Sequence, residues 1–276
     1  MCRFKSGIIL KNKVVVAPGE NDSHSDLLES LGINDDYFGA TNVFVRAELV
    51  PVNNEWWIDP AEEPDKWRFV VDQDMRPEWF DESEHEKIFR EAVCGWWKEH
   101  VLVDQKLEKL SSGYYRLKRC EVKALLNDVK VLLESSQVGE MCGSSQVGKM
   151  CGSSQVGEMC GSSQVGEMCG SSQVGEMWDS SQVGEMCGSS QVGKMCGSSQ
   201  VGEMWDSSQV GEMCGSSQVG EMRDSSQVGE MWDSSQVVKM WGRSTARDFK
   251  NWPNVKIWVS PEGTFEMVAH QNKSEE

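Results

Sequence analysis

Asp72-Gln73-Asp74, followed by Asp81 and Glu82, gathers four carboxylates at the exit of a hydrophobic run, and hard oxygen donors in that arrangement could hold a divalent cation. Such a site would make the first part of the chain a metal-dependent hydrolase or transferase centred on Asp72 and Asp74. The competing reading is a solvated turn, which alternating carboxylates at a strand end commonly form. Cys2 would become terminal on removal of Met1, and an α-amine can activate a thiol nucleophile, but no partner residues for a triad are visible. His24, His85, His100 and His270 show neither H-x-x-x-H spacing nor a CxxC companion, so spacing points to no zinc site, and His24 reads as part of a helix start. Trp56-Trp57, Trp96-Trp97, Trp67 and Trp79 read as the bulk of a small core, with a ligand-lined pocket as the alternative. No catalytic residue, metal ligand or cofactor is assigned on these grounds.

A second concentration of chemistry is periodic. The unit Ser-Ser-Gln-Val-Gly-Glu-Met-x-Gly/Asp occurs twelve times from Ser135 to Gly242, and its eighth position reads Cys142, Cys151, Cys160, Cys169, Trp178, Cys187, Cys196, Trp205, Cys214, Arg223, Trp232 and Trp241. No close-packed slot accepts Cys, Trp and Arg in turn, so position eight is expected to face solvent while the near-uniform Val and Met face inward. Stacked thiolates suggest a soft metal. However, a rung spacing of ~4.8 Å exceeds the ~3.8 Å between sulfurs in a tetrahedral zinc site, and the donors would lie along one line. The residues expected to bind a partner are therefore Trp205, Arg223, Trp241, Trp178 and Trp232, since Arg and Trp are common interface anchors.

A fixed nine-residue period predicts a β-solenoid. Val and Met stand three apart and would fall on opposite faces of a flat strand, so a bend is expected at the intervening Gly, with a second at position nine, where Gly or Asp tolerates left-handed backbone. Two bends per unit make one unit half a coil. Two units then close a turn of eighteen residues, and six coils at ~4.8 Å span about 29 Å. Position eight of odd units should stack on one side and that of even units on the other, leaving Arg223 between Trp205 and Trp241. The second Ser shares the parity of Val and is expected inside, bonded to its copies above and below. The Gly-Gly-x-Gly-x-Asp pattern of calcium-binding nonapeptides is absent, so no calcium is expected in the array. Ser, Gln, Gly and Glu also favour disorder, and near-identical units can arise by recent duplication with only length mattering. The strict Val and Met repeat argues for folding.

Before the array, 1–117 reads as an α+β module. Strands are expected at Phe4–Leu10, Val14–Ala17, Val43–Val50 and Trp67–Asp72, with helices at Ser23–Leu31 and Glu82–His100; the latter carries a stripe of Ile88, Phe89, Ala92, Val93, Trp96 and Trp97. Val122-x-x-Leu125 and Val129-x-x-Leu132 echo the repeat, which makes 118–134 an entry cap, 135–242 the solenoid and 243–276 a C-terminal cap. In that last segment Val255–Val259 and Thr264–Val268 should form a β-hairpin over the final coil.

The formal net charge is −17, and the array carries nine Glu and four Asp against three Lys and one Arg. Direct binding to a nucleic-acid backbone is disfavoured, so the expected partner is a protein, one that is basic or itself binds nucleic acid. No segment has a signal-peptide pattern or the length of a membrane helix, and ten cysteines without a secretion signal point to free thiols and a cytoplasmic location. Cys-Arg-Phe-Lys-Ser-Gly (2–7), Asp-Ser-His-Ser-Asp-Leu-Leu (22–28), Val-Asp-Gln-Asp (71–74) and the repeats together resemble a group of uncharacterised proteins from gut bacteria and their phages. That resemblance implies a phage or mobile-element origin and no particular activity. The sequence thus favours a non-enzymatic interaction protein displaying Cys, Trp and Arg. Its rivals are an acidic DNA mimic that inhibits a nucleic-acid-binding protein, and an N-terminal metal-dependent enzyme with the solenoid as scaffold.

Overall fold

A computed structural model describes residues 4–19, 22–34 and 42–246, together with the backbone of 258–259. The chain divides into two compact units, 1–101 and 102–276.

In the first unit, Lys5–Leu10 (β1), Lys13–Val16 (β2), Phe44–Pro51 (β3) and Trp67–Val71 (β4) form an antiparallel sheet in the order β2-β1-β3-β4. His24–Ser30 (α1) starts at Ser23, whose hydroxyl accepts from the Asp26 amide at 3.2 Å, and Gly32 follows it at φ +68. Glu82–His100 (α2) is capped by Asp81 and buries Phe89, Val93 and Trp96, whereas Ile88 stays exposed on its flank. Close approach of α2 explains Gly7: an added Cβ there would lie 2.8 Å from the Phe89 ring. Lys5 is 1% exposed, yet its ammonium is fully used, meeting Asp22 Oδ1 at 2.8 Å, the Gly19 carbonyl at 3.1 Å and the Trp96 ring at 4.0 Å.

The second unit is a parallel β-solenoid of about eight turns. Within the array, strands recur as Gln-Val-Gly-Glu-Met segments such as Gln137–Met141 and Gln155–Met159, and each pairs with the strand eighteen residues on, Val138 with Val156 and Met141 with Met159. Odd and even units therefore build separate ladders, in sheets of nine and ten strands. Val and Met from both close a dry core, every member at most 3% exposed.

The ladders begin before residue 118, so the expected boundary at 117/118 falls inside the solenoid. Val101–Val103 (β5), Lys106–Leu110 (β6) and Tyr114–Lys118 (β7) are its first rungs. Leu107 and Leu110 sit beneath Val122 and Leu125, which sit beneath Val138 and Met141. The segment 118–134 is thus interior ladder and not a terminal cap. The register also corrects the second phrase. Val131 and Leu133 stack under Val147 and Met150 across a bulge, while Val129 is fully buried and its carbonyl accepts from the Gln146 amide, the place Ser145 holds one coil later.

The two glycine positions work for different reasons. Position nine is left-handed throughout, with φ between 65 and 70 at the array glycines and 55 to 59 at Asp179, Asp206, Asp224 and Asp233. Position five lies outside that region. Its constraint is contact, since a Cβ on Gly175 would lie 2.5 Å from the carbonyl oxygen of Gly157 one rung below. The bulge at this residue carries the chain from an inward Val to an inward Met. Val238 is the one exception at position five: it stands over Gly220 in the last unit with its side chain exposed, so that rung accommodates a Cβ. The outer neighbour of that unit is the two-residue strand Trp258–Val259. The second arm of the expected hairpin, Thr264–Val268, lies outside the described residues.

The second Ser of each unit is buried as expected, but it does not bond its copies hydroxyl to hydroxyl. Rungs are 4.7 Å apart at Cys196 and Cys214, beyond hydroxyl reach. Ser154 donates to the Cys151 carbonyl at 2.7 Å and accepts from the amide of its copy Ser136 at 3.4 Å, and Ser244, just past the array, donates to the Trp241 carbonyl at 2.9 Å, whereas the other second-Ser hydroxyls from Ser145 to Ser235 make no hydrogen bond.

Replacing Gly175 by Ala should lower stability by about 1–3 kcal/mol through overpacking against Gly157, read as a lower denaturant midpoint at unchanged circular dichroism. The same change at exposed Gln173 should leave the midpoint unaltered. Equal midpoints for the two variants would contradict the contact assigned to position five.

Candidate functional site

Position eight lies at the corner of each coil, directly before the left-handed residue, and most of its side chains are half-buried by their neighbours along the column. The odd column runs Cys142, Cys160, Trp178, Cys196, Cys214, Trp232, and the even column Cys151, Cys169, Cys187, Trp205, Arg223, Trp241. Contacts occur between members eighteen apart: Cys187 and Cys169 sulfurs are 2.9 Å apart, and the Arg223 guanidinium lies 4.2 Å from the Trp205 ring centroid. Arg223 and Trp232, nine apart, belong to different columns.

Of the five residues expected to bind, Trp205, Arg223 and Trp241 thus share one column in consecutive rungs. Arg223 is stacked on Trp205 and held by Glu221, whose Oε1 accepts from its Nε at 2.7 Å. Trp178 and Trp232 stand on the other column with the Cys196 and Cys214 rungs between them. Trp178 is 39% exposed and donates from Nε1 to Glu176 at 3.0 Å, as Trp232 does to Glu230 at 3.2 Å. Each of these four large residues, Trp178, Trp205, Arg223 and Trp232, is followed by Asp. Three of the Asp carboxylates accept the position-nine Gly amide of the coil below, Asp179 from Gly161, Asp206 from Gly188 and Asp233 from Gly215, at 2.9–3.0 Å. That bond offsets the cost of a left-handed non-glycine residue.

The expectation of free thiols fails at one place. Cys196 and Cys214 are joined by a disulfide, because in-register stacking sets their Cα atoms 4.7 Å apart, inside the range a disulfide spans. Cys142, Cys151, Cys160, Cys169 and Cys187 are thiols. Burial first, and then the partner thiol, pushes Cys160 and Cys187 up to about 12.

The carboxylates singled out in the first unit do not converge. Asp81 caps α2 by accepting from the Glu84 amide at 2.9 Å, and Glu82 pairs with Arg76. Asp74 is exposed. Asp72 alone reaches other donors, His24 and Glu48, a juxtaposition that sequence spacing does not reveal because α1, β3 and the end of β4 supply one residue each. Trp56, Trp67 and Trp96 are core, whereas Trp57, Trp79 and Trp97 are half-buried; Trp67, Trp96 and Trp97 donate their indole N–H to the Ile58, Pro18 and Trp56 carbonyls. Cys2 and His270 lie outside the described residues.

Along the nine-stranded sheet, the side-chain-free glycine column leaves a shallow open groove of about 610 Å³ that runs from Lys106 to Gly193 beside the Gln137, Gln155, Gln173 and Gln191 ladder. No helix among the described residues is long and apolar enough to cross a membrane. The chain matches no protein-family model, no curated protein and no solved structure.

At pH 8, Cys160 and Cys187 should alkylate far more slowly than a cysteine in an unfolded peptide, with rates climbing as pH rises toward 12, because only the thiolate reacts. Mass-spectrometric time courses on native and denatured protein read this directly. Equal rates in the two states would show that the column does not shield its sulfurs.

Proposed function

We propose that this protein is a non-enzymatic interaction scaffold whose acidic solenoid presents the Trp205, Arg223 and Trp241 column to a protein partner. The observation that carries the reading is the guanidinium of Arg223 stacked on Trp205 and tethered by Glu221. A planar cation fixed on an aromatic face loses little freedom on binding, and it stands on a ladder whose every rung is hydrogen-bonded to the next. It is also the one arginine in an array dominated by carboxylates, with Lys239 on the next rung of the same ladder beside Glu221, so a partner meeting this surface finds a local cationic anchor on an acidic rod.

A second reading rests on the charge ladders. In-register pairing stacks Glu167, Glu185, Glu203 and Glu221 on one sheet, and Glu140, Glu158 and Glu176 on the other. Rows of carboxylates held one rung apart suit a basic partner, including a protein whose nucleic-acid groove they would occupy.

A partner recovered on the wild-type chain should bind Arg223→Ala and Trp205→Ala at least roughly 30-fold more weakly, the factor for a hot spot of about 2 kcal/mol. The stability of both variants should be unchanged. Full retention by both would remove this column as the contact surface. Steep loss of binding with added salt, together with indifference to Arg223→Ala, would support the carboxylate ladders instead.

A further inference from the structure

We infer that His24, Glu48 and Asp72 form a binding site for a divalent transition-metal ion, Mn²⁺ being the probe that tests it. This site is independent of the solenoid and of the role proposed for it.

Three elements deliver one donor each, and their ligand atoms all lie within 4.8 Å of one another. His24 opens α1. The chain leading into it is fixed to β1 by the buried Lys5 and Asp22 pair and by the Ser6 hydroxyl, which donates to the Asp22 carbonyl at 2.6 Å. Glu48 lies in β3, opposite Val70 of β4. Asp72 is held at the end of β4 by its own amide, which donates to the Arg46 carbonyl at 2.9 Å. The next side chain, Gln73, bonds both the Arg46 amide and the Phe44 carbonyl, at 2.8 and 3.2 Å. Backbone positions are therefore set on every side, while the Asp72 carboxylate, 59% exposed, keeps the freedom to close on an ion.

The imidazole supplies the decisive detail. His24 Nε2 is 3.1 Å from the Ala47 carbonyl oxygen, and a carbonyl only accepts, so Nε2 carries the proton. The other ring nitrogen, Nδ1, faces Asp72 Oδ2 at 3.4 Å on a side chain only 9% exposed, the position a proton takes in an ion pair and a metal ion takes when it displaces that proton. A ring N–H donated to a backbone carbonyl is also the usual means by which a ligating histidine is oriented.

One imidazole and two carboxylates, with no thiolate, suit Mn²⁺, Fe²⁺ or Zn²⁺. Three protein donors leave positions for water, the composition of an open site and not of a closed structural one. Mn²⁺ is the informative probe because the thiol columns of the array compete for Zn²⁺.

Titration of the full chain with Mn²⁺, followed by electron paramagnetic resonance of the free ion, should show one bound ion per chain. His24→Ala and Glu48→Gln should each weaken binding more than about tenfold, whereas Glu203→Gln in the array should leave it unchanged. Glu48→Gln should unfold no earlier than wild type without metal, since it removes a crowded charge, which separates lost binding from lost folding. In the wild-type protein, substoichiometric Mn²⁺ should broaden the His24 imidazole signals before those of His85 or His100. Absence of a bound ion, retention of affinity by His24→Ala and Glu48→Gln, or broadening that spares His24 would each overturn the assignment.

Discussion

Parallel, in-register stacking of identical residues eighteen apart is the constraint on which the second unit depends. In such a ladder every side chain's nearest neighbours are copies of itself, so each position is tolerated or excluded by its self-contact. Val on Val and Met on Met give a continuous apolar core. Glycine on glycine is favoured at position five because a rung spacing near 4.7 Å leaves little room for a Cβ over the carbonyl below, and Val238 over Gly220 is the one rung of the array that takes a side chain there. Like charges at position six repel, and the lysines Lys149 and Lys194 relieve this where they meet Glu167 and Glu212. At the corner, the same rule makes thiols meet thiols and places an arginine over an indole. The surface proposed for partner binding is thus a by-product of register: one substitution at position eight changes a contact along the column and nothing in the core.

The first unit obeys a different logic. Its elements meet unlike partners, and its organisation relies on individually satisfied polar groups: a buried lysine shared by a carboxylate, a carbonyl and an indole face, and a glutamine side chain that extends the sheet past the end of β4. Such networks are stiff when complete. They hold His24 and Asp72 in place although forty-eight positions apart in sequence. The polar groups of the solenoid repeat, whereas those of this unit occur once, and a site of mixed donors belongs with the latter.

Much of the architecture was legible because it is periodic. Val and Met three apart, a tolerant position nine and a variable position eight together led to two units per coil and to the pairing of Trp205 with Arg223. The helix at Ser23 was visible through its cap, and the helix at Glu82 through its apolar stripe. What escaped had physical reasons. Leu107 and Leu110 continue the ladder with different residues and coils of fifteen or sixteen, so the solenoid's true start lacks the period that reveals the rest. Val131 and Leu133 escaped because the bulge that spaces Val and Met is missing from their strand. The role of glycine at position five was misread as dihedral freedom, since contact with the rung below appears only when coils are stacked. Cys196 and Cys214 look like free thiols in a linear reading. His24 carried no spacing signal, because it opens a helix while its neighbours Glu48 and Asp72 come from β3 and the end of β4.

Register is best tested by chemistry at the corners. Two chains, one retaining only Cys169 and Cys187 and the other only Cys160 and Cys169, with the remaining cysteines replaced by serine, would be oxidised by a small-molecule disulfide while folded. Loss of free thiols and of two hydrogens in mass would report an internal bridge. Eighteen-residue coils predict bridging in the chain with Cys169 and Cys187 and free thiols in the chain with Cys160 and Cys169; the reverse pattern would contradict the stacking on which the account depends.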